Sequence, residues 1–319
     1  LVIITFTACV DDDLEVSGVA EAVEITSGDA DFSRMVAMGA TMTAGYTDSA
    51  LFQAGQMNSY PNIMAGVMSQ AGGGDFTQPY MSDNVGGLLV GGQQIFGPRL
   101  YFDGAGPAPV PGTPSTEATN VMPGPYSNMA APGVNAVHML APGYGSMAAL
   151  MQGLANPYYV RMASSDGGSI IGDVMGQYPT FITMLSGFSD ALASATDGAT
   201  SVGMGTQAEF QFALGTTMGA LGQLGVDGII SNIPDVTNNA FFNTVGHDIV
   251  PLDAATAGML NGAFAQYNGA LALVASFGFM TQSEVAARTI NFVEGMNALV
   301  IDDGDLTTIE LTPLGIPLV

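Results

Sequence analysis

A short apolar run at 32–39, "FSRMVAMG", is followed much later by three more: "TFITML" (180–185), "GIISNI" (228–233) and "ALVID" (298–302). None alternates apolar with polar residues, so as strands they need cover on both faces. The stretches "SALFQAGQMNSYPNIMAGVMSQAG" (49–72, interrupted at Pro61), 207–225 and 252–278 have helix-compatible spacing. Short buried strands separated by helices predict an α/β fold: a three-layer α/β/α arrangement around a central parallel sheet.

The length, 319 residues, suits one large α/β domain or two smaller ones. Charge excludes some partners. Against 28 acidic residues stand only Arg34, Arg99, Arg161 and Arg288, with no lysine, for a net charge of −24. Phosphate-rich surfaces would be repelled, so neither nucleic acid nor an anionic membrane is an expected partner. Methionine, as long and unbranched as lysine, numbers 20 and is expected at positions that lysine ordinarily holds. No apolar run reaches the about 18 residues of a membrane-spanning helix.

The single cysteine, Cys9, leaves no intramolecular disulfide to form. Its context, "LVIITFTACVDDDLE", resembles the end of a bacterial lipoprotein signal, in which the cysteine becomes the lipidated first residue. The acidic run Asp11, Asp12, Asp13 resembles the export tags of surface lipoproteins of the Bacteroidetes. The other readings are an N-terminal strand with a buried thiol and a solvated acidic linker. Residues 1–30 are thus expected to form a leader and linker, and 31–319 the folded domain. Within that domain 103–135 is rich in proline and glycine, a long surface connection that could wall a cleft.

In an open parallel sheet, ligands bind beyond the carboxyl ends of the strands. The residues to weigh are therefore Thr41 after the first run, Ser186–Asp190 after the second, Asp235 after the third, and the glycine turn in "APGVNAVH" (131–138). Four stretches stand in this order: "MGATMTAGYTDSALFQAGQMNSYPN", "NMAAPGVNAVHMLAPGYG", "QYPTFITMLSGFSDALASAT" and "NIPDVTNNAFFNTV". Together they resemble the successive blocks of SGNH (GDSL-type) hydrolases, most of all the Bacteroidetes lipoprotein members, over about Asp31 to Asp305.

The resemblance implies a flavodoxin-like three-layer fold and acyl-ester hydrolysis at the cell envelope without a cofactor. It sets Thr41 at the nucleophile position, where the family has serine. Gly133 falls on the oxyanion glycine. Gly187, Phe188, Ser189 and Asp190 fall on the Gly-x-Asn-Asp block, so Ser189 holds the oxyanion asparagine's place. The substrate would be an acyl ester or lipid-like molecule. A lipid anchor at Cys9 would hold the chain to the outer membrane, periplasmic or surface-exposed. No Asp-x-x-His occurs in the sequence, so the block that supplies the family's base is expected beyond Val319. Threonine can attack only with a base in reach, and a lost oxyanion donor costs about 10²–10³ in rate. A catalytically degenerate scaffold, serving as a binding or accessory subunit of an outer-membrane complex, is the alternative.

Each candidate also has a plainer role. Thr41 suits a helix N-cap, and His138 suits packing or a structural hydrogen bond. His247 lies beside Asp248, but neighbours in an extended segment point to opposite faces. Two histidines and one cysteine without ligand spacing predict no zinc site. "DDGD" (302–305) lacks a full calcium loop, and "GGLLVGG" (86–92) lacks the Lys-Ser/Thr of a P-loop.

Overall fold

The computed structural model describes residues 25–122, 124–196, 206–244, 246–300 and 306. Cys9, the run Asp11–Asp13 and "DDGD" at 302–305 lie outside the described residues. The fold is mixed helix and strand, with a parallel sheet of three strands.

In chain order the elements begin with β1 (Met35–Gly39), α1 (Thr41–Ala44), α2 (Gln53–Met57) and α3 (Tyr60–Met68). Pro61 starts α3 rather than interrupting a longer helix, since a proline in the first turn gives up no hydrogen bond. Two hairpins follow, β2 (Leu88–Val90) with β3 (Gln93–Phe96) and β4 (Leu100–Phe102) with β5 (Pro107–Pro109). Short helices come next: α4 (Ala136–Leu140), α5 (Met147–Leu150), α6 (Pro157–Val160) and α7 (Ile170–Met175). Then come β6 (Phe181–Leu185), α8 (Phe188–Thr196), α9 (Gln207–Gln223) and β7 (Asp227–Ile230). The chain continues through α10 (Ala240–Thr244), β8 (Val250–Leu252), α11 (Ala254–Ser276), α12 (Gln282–Arg288) and β9 (Gly295–Asn297).

Contacts group the described residues into two units. One runs through Ser189 and includes Thr206–Ile233; the other holds Pro234 onward with the remainder of α8. In the first, β1 and β6 pair in parallel from Met35↔Phe181 to Gly39↔Leu185, and β6 pairs in parallel with β7. Both β1 and β6 are buried along their whole length, as uninterrupted apolar runs require. The third strand differs: all four residues of β7 are exposed. On the free side of β1, Asn128 makes a parallel bridge to Ala37, through Ala37 N–H to Ser127 O and Met129 N–H to Ala37 O. The order across the unit is therefore 127–129, β1, β6, β7, and the chain reverses its winding direction at β1. Met38, Met81, Met129, Met139, Tyr159 and Ile170 anchor the core beneath.

The connection at 103–135 is more ordered than a proline-rich loop predicts. It supplies β5, a bridge from Glu117 to Leu89 and the Asn128 segment. Carboxylates close its turns. Asp83 accepts from the N–H groups of Val85, Gly86 and Ser115 and from the Ser115 hydroxyl. Glu117 accepts from Gly91 and Gly92 N–H and from both donors of Thr119.

The second unit folds around α11 and α12, with Leu271, Val274 and Met280 buried between them. Asn268 and Asn261 on α11 each make two hydrogen bonds to the backbone of an extended stretch, at Ile290 and Phe292. Here one expectation is corrected. Of the run "ALVID", residues 298–300 form no strand, and 301–302 lie outside the described residues. The strand lies just before them: β9 pairs antiparallel with β8 and takes no part in the parallel sheet. An apolar run is a strand only where an edge receives it, and Leu299 and Val300 are instead exposed.

Two outcomes follow from this packing. A Cβ on Gly39 would fall within 2.1 Å of Thr43 Oγ1 and 2.8 Å of Leu185 O. Gly39→Ala therefore forces overpacking between buried strands, and its urea midpoint should fall by the equivalent of about 1–3 kcal/mol. Burial pushes the Asp83 carboxyl up, but its hydrogen bonds outweigh that and hold it below the ordinary aspartate value. A group with a depressed folded pKa stabilises above its unfolded value, near 3.8, and loses that contribution as pH falls through its folded pKa. Asp83→Asn should thus be less stable than the parent at neutral pH, with the gap closing under acid in pH-resolved denaturation.

Candidate active site

The carboxyl end of β1 runs into a tight turn. Gly39 is followed by Ala40, then by the single-turn helix α1, which ends at Gly45 in the left-handed conformation (φ 81°). Thr41 opens α1 and is half-buried. It does not cap the helix: Ala40 holds that position, and no side chain caps it. The plainer N-cap role is thereby overturned, because Thr41 already has helical backbone geometry and its hydroxyl is free to face elsewhere.

It faces two groups from distant parts of the chain. Thr41 Oγ1 lies 3.4 Å from Ser189 Oγ and accepts a hydrogen bond from Gly133 N–H at 3.3 Å. Parallel pairing explains the first contact. Strands β1 and β6 end side by side at Gly39↔Leu185, so the turns leaving them meet. Gly187 makes the second turn possible. Its φ is 92°, and a Cβ there would stand 2.5 Å from Ile233 Cδ1 and 2.8 Å from the Phe210 ring. Both a left-handed backbone and lack of space require glycine.

The Gly133 loop is held from two sides. Asn128 anchors its approach, donating from Nδ2 to Thr43 O and to Gln78 Oε1, both at 3.0 Å. Asn156 donates from Nδ2 to Pro132 O at 2.7 Å, while its Oδ1 accepts from Tyr158 and Tyr159 N–H at the start of α6. Gly133 itself has φ 77°, which directs its N–H at Thr41. Sequence reasoning passed over Asn128 and Asn156. Asn156 carried a signal, because Asn before Pro is a strong helix start; buried Asn128 carried none.

The remaining candidates have other places. His138 completes a capping box with Asn135 and stacks on Tyr144, with ring centroids 4.6 Å apart. Asn135 N–H and the Tyr144 hydroxyl converge on His138 Nδ1, at 3.4 and 3.1 Å. The network thus assigns the ring proton to Nε2. Asp190 is buried in the first turn of α8. His247 is exposed in the second unit. Among the described residues neither histidine hydrogen-bonds to Thr41. Nor do the described residues hold a cluster of three or more histidine, cysteine or acidic side chains able to bind a metal.

Two cavities lie elsewhere in the first unit. One of about 370 Å³ opens at the amino ends of the parallel strands, between Arg34, Tyr178 and Asp227. Another of about 410 Å³ lies beside α7, between Tyr126, Met162 and Asp173. Neither includes Thr41.

Chemically, the arrangement offers one hydroxyl with a backbone N–H and a second hydroxyl directed at it. That is the donor set which steadies an oxyanion forming beside a nucleophile. Compared with family models, with curated proteins and with solved structures, the chain finds no match.

Burial holds the His138 imidazole below its ordinary value of 6.5. The unfolded chain therefore binds the proton first as pH falls, and His138 costs stability below about pH 6.5. The His138 ring signals should titrate with a midpoint below 6.5 in an NMR pH series, and His138→Gln should reduce the acid-side loss of stability.

Proposed function

We propose that this chain is an acyl-ester hydrolase of the SGNH type, with a three-layer α/β/α fold. The observation that carries the reading is the meeting of Thr41 Oγ1, Gly133 N–H and Ser189 Oγ at the ends of adjacent parallel strands. These three positions lie far apart in sequence, and the resemblance to SGNH hydrolases names each of them. The strand order 127–129, β1, β6, β7 supports it further. That order reverses at β1, and a reversal point at the carboxyl ends is where open α/β sheets bind ligands.

In this reading Thr41 Oγ1 attacks the ester carbonyl, and Gly133 N–H with the Ser189 hydroxyl steadies the tetrahedral oxyanion. Collapse of that intermediate expels the alcohol and leaves an acyl-threonine, which water then hydrolyses. Attack requires a general base within hydrogen-bond reach of Thr41 Oγ1. The protein sits at the cell envelope, anchored through Cys9, and its substrates are acyl esters or lipid-like molecules. One observation favours a second reading: Thr41 has no histidine partner among the described residues. A scaffold kept for binding, as an accessory subunit of an outer-membrane complex, would have the same geometry without turnover.

Hydrolysis of p-nitrophenyl acetate separates the two. Thr41→Ala should reduce turnover to the uncatalysed level. Thr41→Ser removes the crowding methyl and should raise kcat. Ser189→Asn extends an amide donor toward the oxyanion and should raise kcat about tenfold or more. If the parent chain is no faster than Thr41→Ala, the hydrolase reading is wrong.

A further inference from the structure

The cavity of about 410 Å³ beside α7 reaches the core of the first unit. Buried Met129 and Met162 line it with Tyr126, while Ser164, Asp173 and Gln177 supply polar groups. Its size suits a small organic molecule, for which pockets run from about 300 to 1,000 Å³. The side along α7 lacks a side chain at two points one turn apart, Gly172 and Gly176. A Cβ on Gly176 would meet only backbone oxygens of its own helix, Gly172 O nearest at 3.3 Å, so the space in front of it is open.

The cavity is held in shape. Gln177 Nε2 donates to Tyr126 O at 3.0 Å and to Asp173 O at 3.3 Å, which ties the facing wall to α7. Thr77 Oγ1 donates to Pro125 O and fixes the same wall. The Asp173 carboxylate is fixed as firmly, accepting from the Tyr159 hydroxyl at 2.7 Å and from the N–H and hydroxyl of Ser164. These donors are all neutral, so they position the charge without cancelling it. Among the described residues no ion pair reaches Asp173. Arg161 directs its donors to Tyr80 O and to the sulfurs of Met81 and Met122, and it does not line the cavity.

We propose that this cavity binds a small organic cation, an ammonium carried on an apolar or aromatic body. Asp173 pairs with the ammonium, and Met129 and Met162 receive the apolar part. Of the lining residues Asp173 alone is charged. An anion would therefore meet repulsion, and a neutral molecule would shield the carboxylate from water without pairing it. Tyrosine and methionine favour the same occupant. The face of an aromatic ring attracts cations, and thioethers are polarisable and adapt to irregular apolar shapes. The net charge of −24 adds long-range attraction for cations. The proposal does not rest on the hydrolase reading, because Thr41 lies outside the cavity and binding is measured without turnover.

The test is calorimetric titration of the full chain with 2-phenylethylammonium, matched against 3-phenylpropionate, an anion of similar size. The cation should bind at one site with a Kd of about 1 mM or tighter. The anion should bind at least about tenfold more weakly, and Asp173→Asn should weaken the cation by a similar factor. Gly176→Leu fills the cavity from a right-handed helical position that does not require glycine. It should abolish binding while the circular dichroism spectrum stays that of the parent. Glu294→Gln removes an exposed acid in the second unit and should leave binding unchanged, which separates the site from general attraction to an acidic surface. In methyl NMR of the parent chain the Met129 and Met162 signals should move when the cation is added, and that of exposed Met259 should not. The proposal is overturned if the parent does not bind the cation, if the anion binds as well, or if the Met129 and Met162 signals stay in place. It is equally overturned if Gly176→Leu binds like the parent, or if Glu294→Gln weakens binding as much as Asp173→Asn.

Discussion

The parallel pairing of β1 with β6 is the contact on which the rest of the molecule depends. It buries two uninterrupted apolar strands in register, from Met35↔Phe181 to Gly39↔Leu185. Parallel strands finish on the same side, so the pairing fixes where both exit turns lie before any side chain in them is considered. Gly39 is the narrowest point, where the strand passes beneath Thr43 and against Leu185. The Asn128 bridge on the other edge of β1 then brings in the loop that carries Gly133. Three distant segments thus meet because one strand, β1, has neighbours on both edges.

A second constraint is the shortage of cations. With four arginines against 28 acids, carboxylates cannot in general be paired with positive side chains. The structure satisfies many of them with backbone N–H groups instead. Asp83 and Glu117 close turns between hairpins, Asp235 and Asp253 cap helices, and Asp173 accepts from Tyr159 and Ser164. Hydrogen bonds to an ionised acceptor are stronger than neutral ones, so loops rich in glycine and proline gain definition from the acids themselves. Arg161 shows the converse. It is buried with no carboxylate partner among the described residues, donating to Tyr80 O and to the sulfur of Met81. Exposed methionines such as Met57, Met151 and Met259 meanwhile take the kind of surface position that lysine ordinarily holds.

The parts legible in the sequence were those set by local chemistry. Runs without alternation located β1, β6 and β7, and helix-compatible spacing located α9 and α11 within a few residues. The glycine-flanked turn at Thr41 was visible for the same reason. What stayed hidden depended on partners. "ALVID" has the composition of a strand, yet whether it pairs is decided by the edge available to it. The proline-rich connection concealed Asn128, whose bridge rests on backbone groups at Ser127 and Met129 that no side chain announces. Likewise Asn156 reads locally as a cap, while its second bond, to Pro132 O, is a property of the folded loop. The exposure of β7 was equally invisible, since "GIISNI" is as apolar as its buried neighbours.

The distance along the chain between the residues that meet at Thr41 has a consequence in time. Residues 41 and 189 are 148 positions apart, and the strands that carry them cannot pair until the whole intervening segment has closed into a loop. Such closure carries an entropic cost that no local helix can offset in advance, and folds dominated by it assemble slowly. The hydroxyl pair therefore cannot form before β1 and β6 pair, and it is lost when they part. A nascent chain that has not yet reached β6 cannot make this contact, whatever local turns it has already formed.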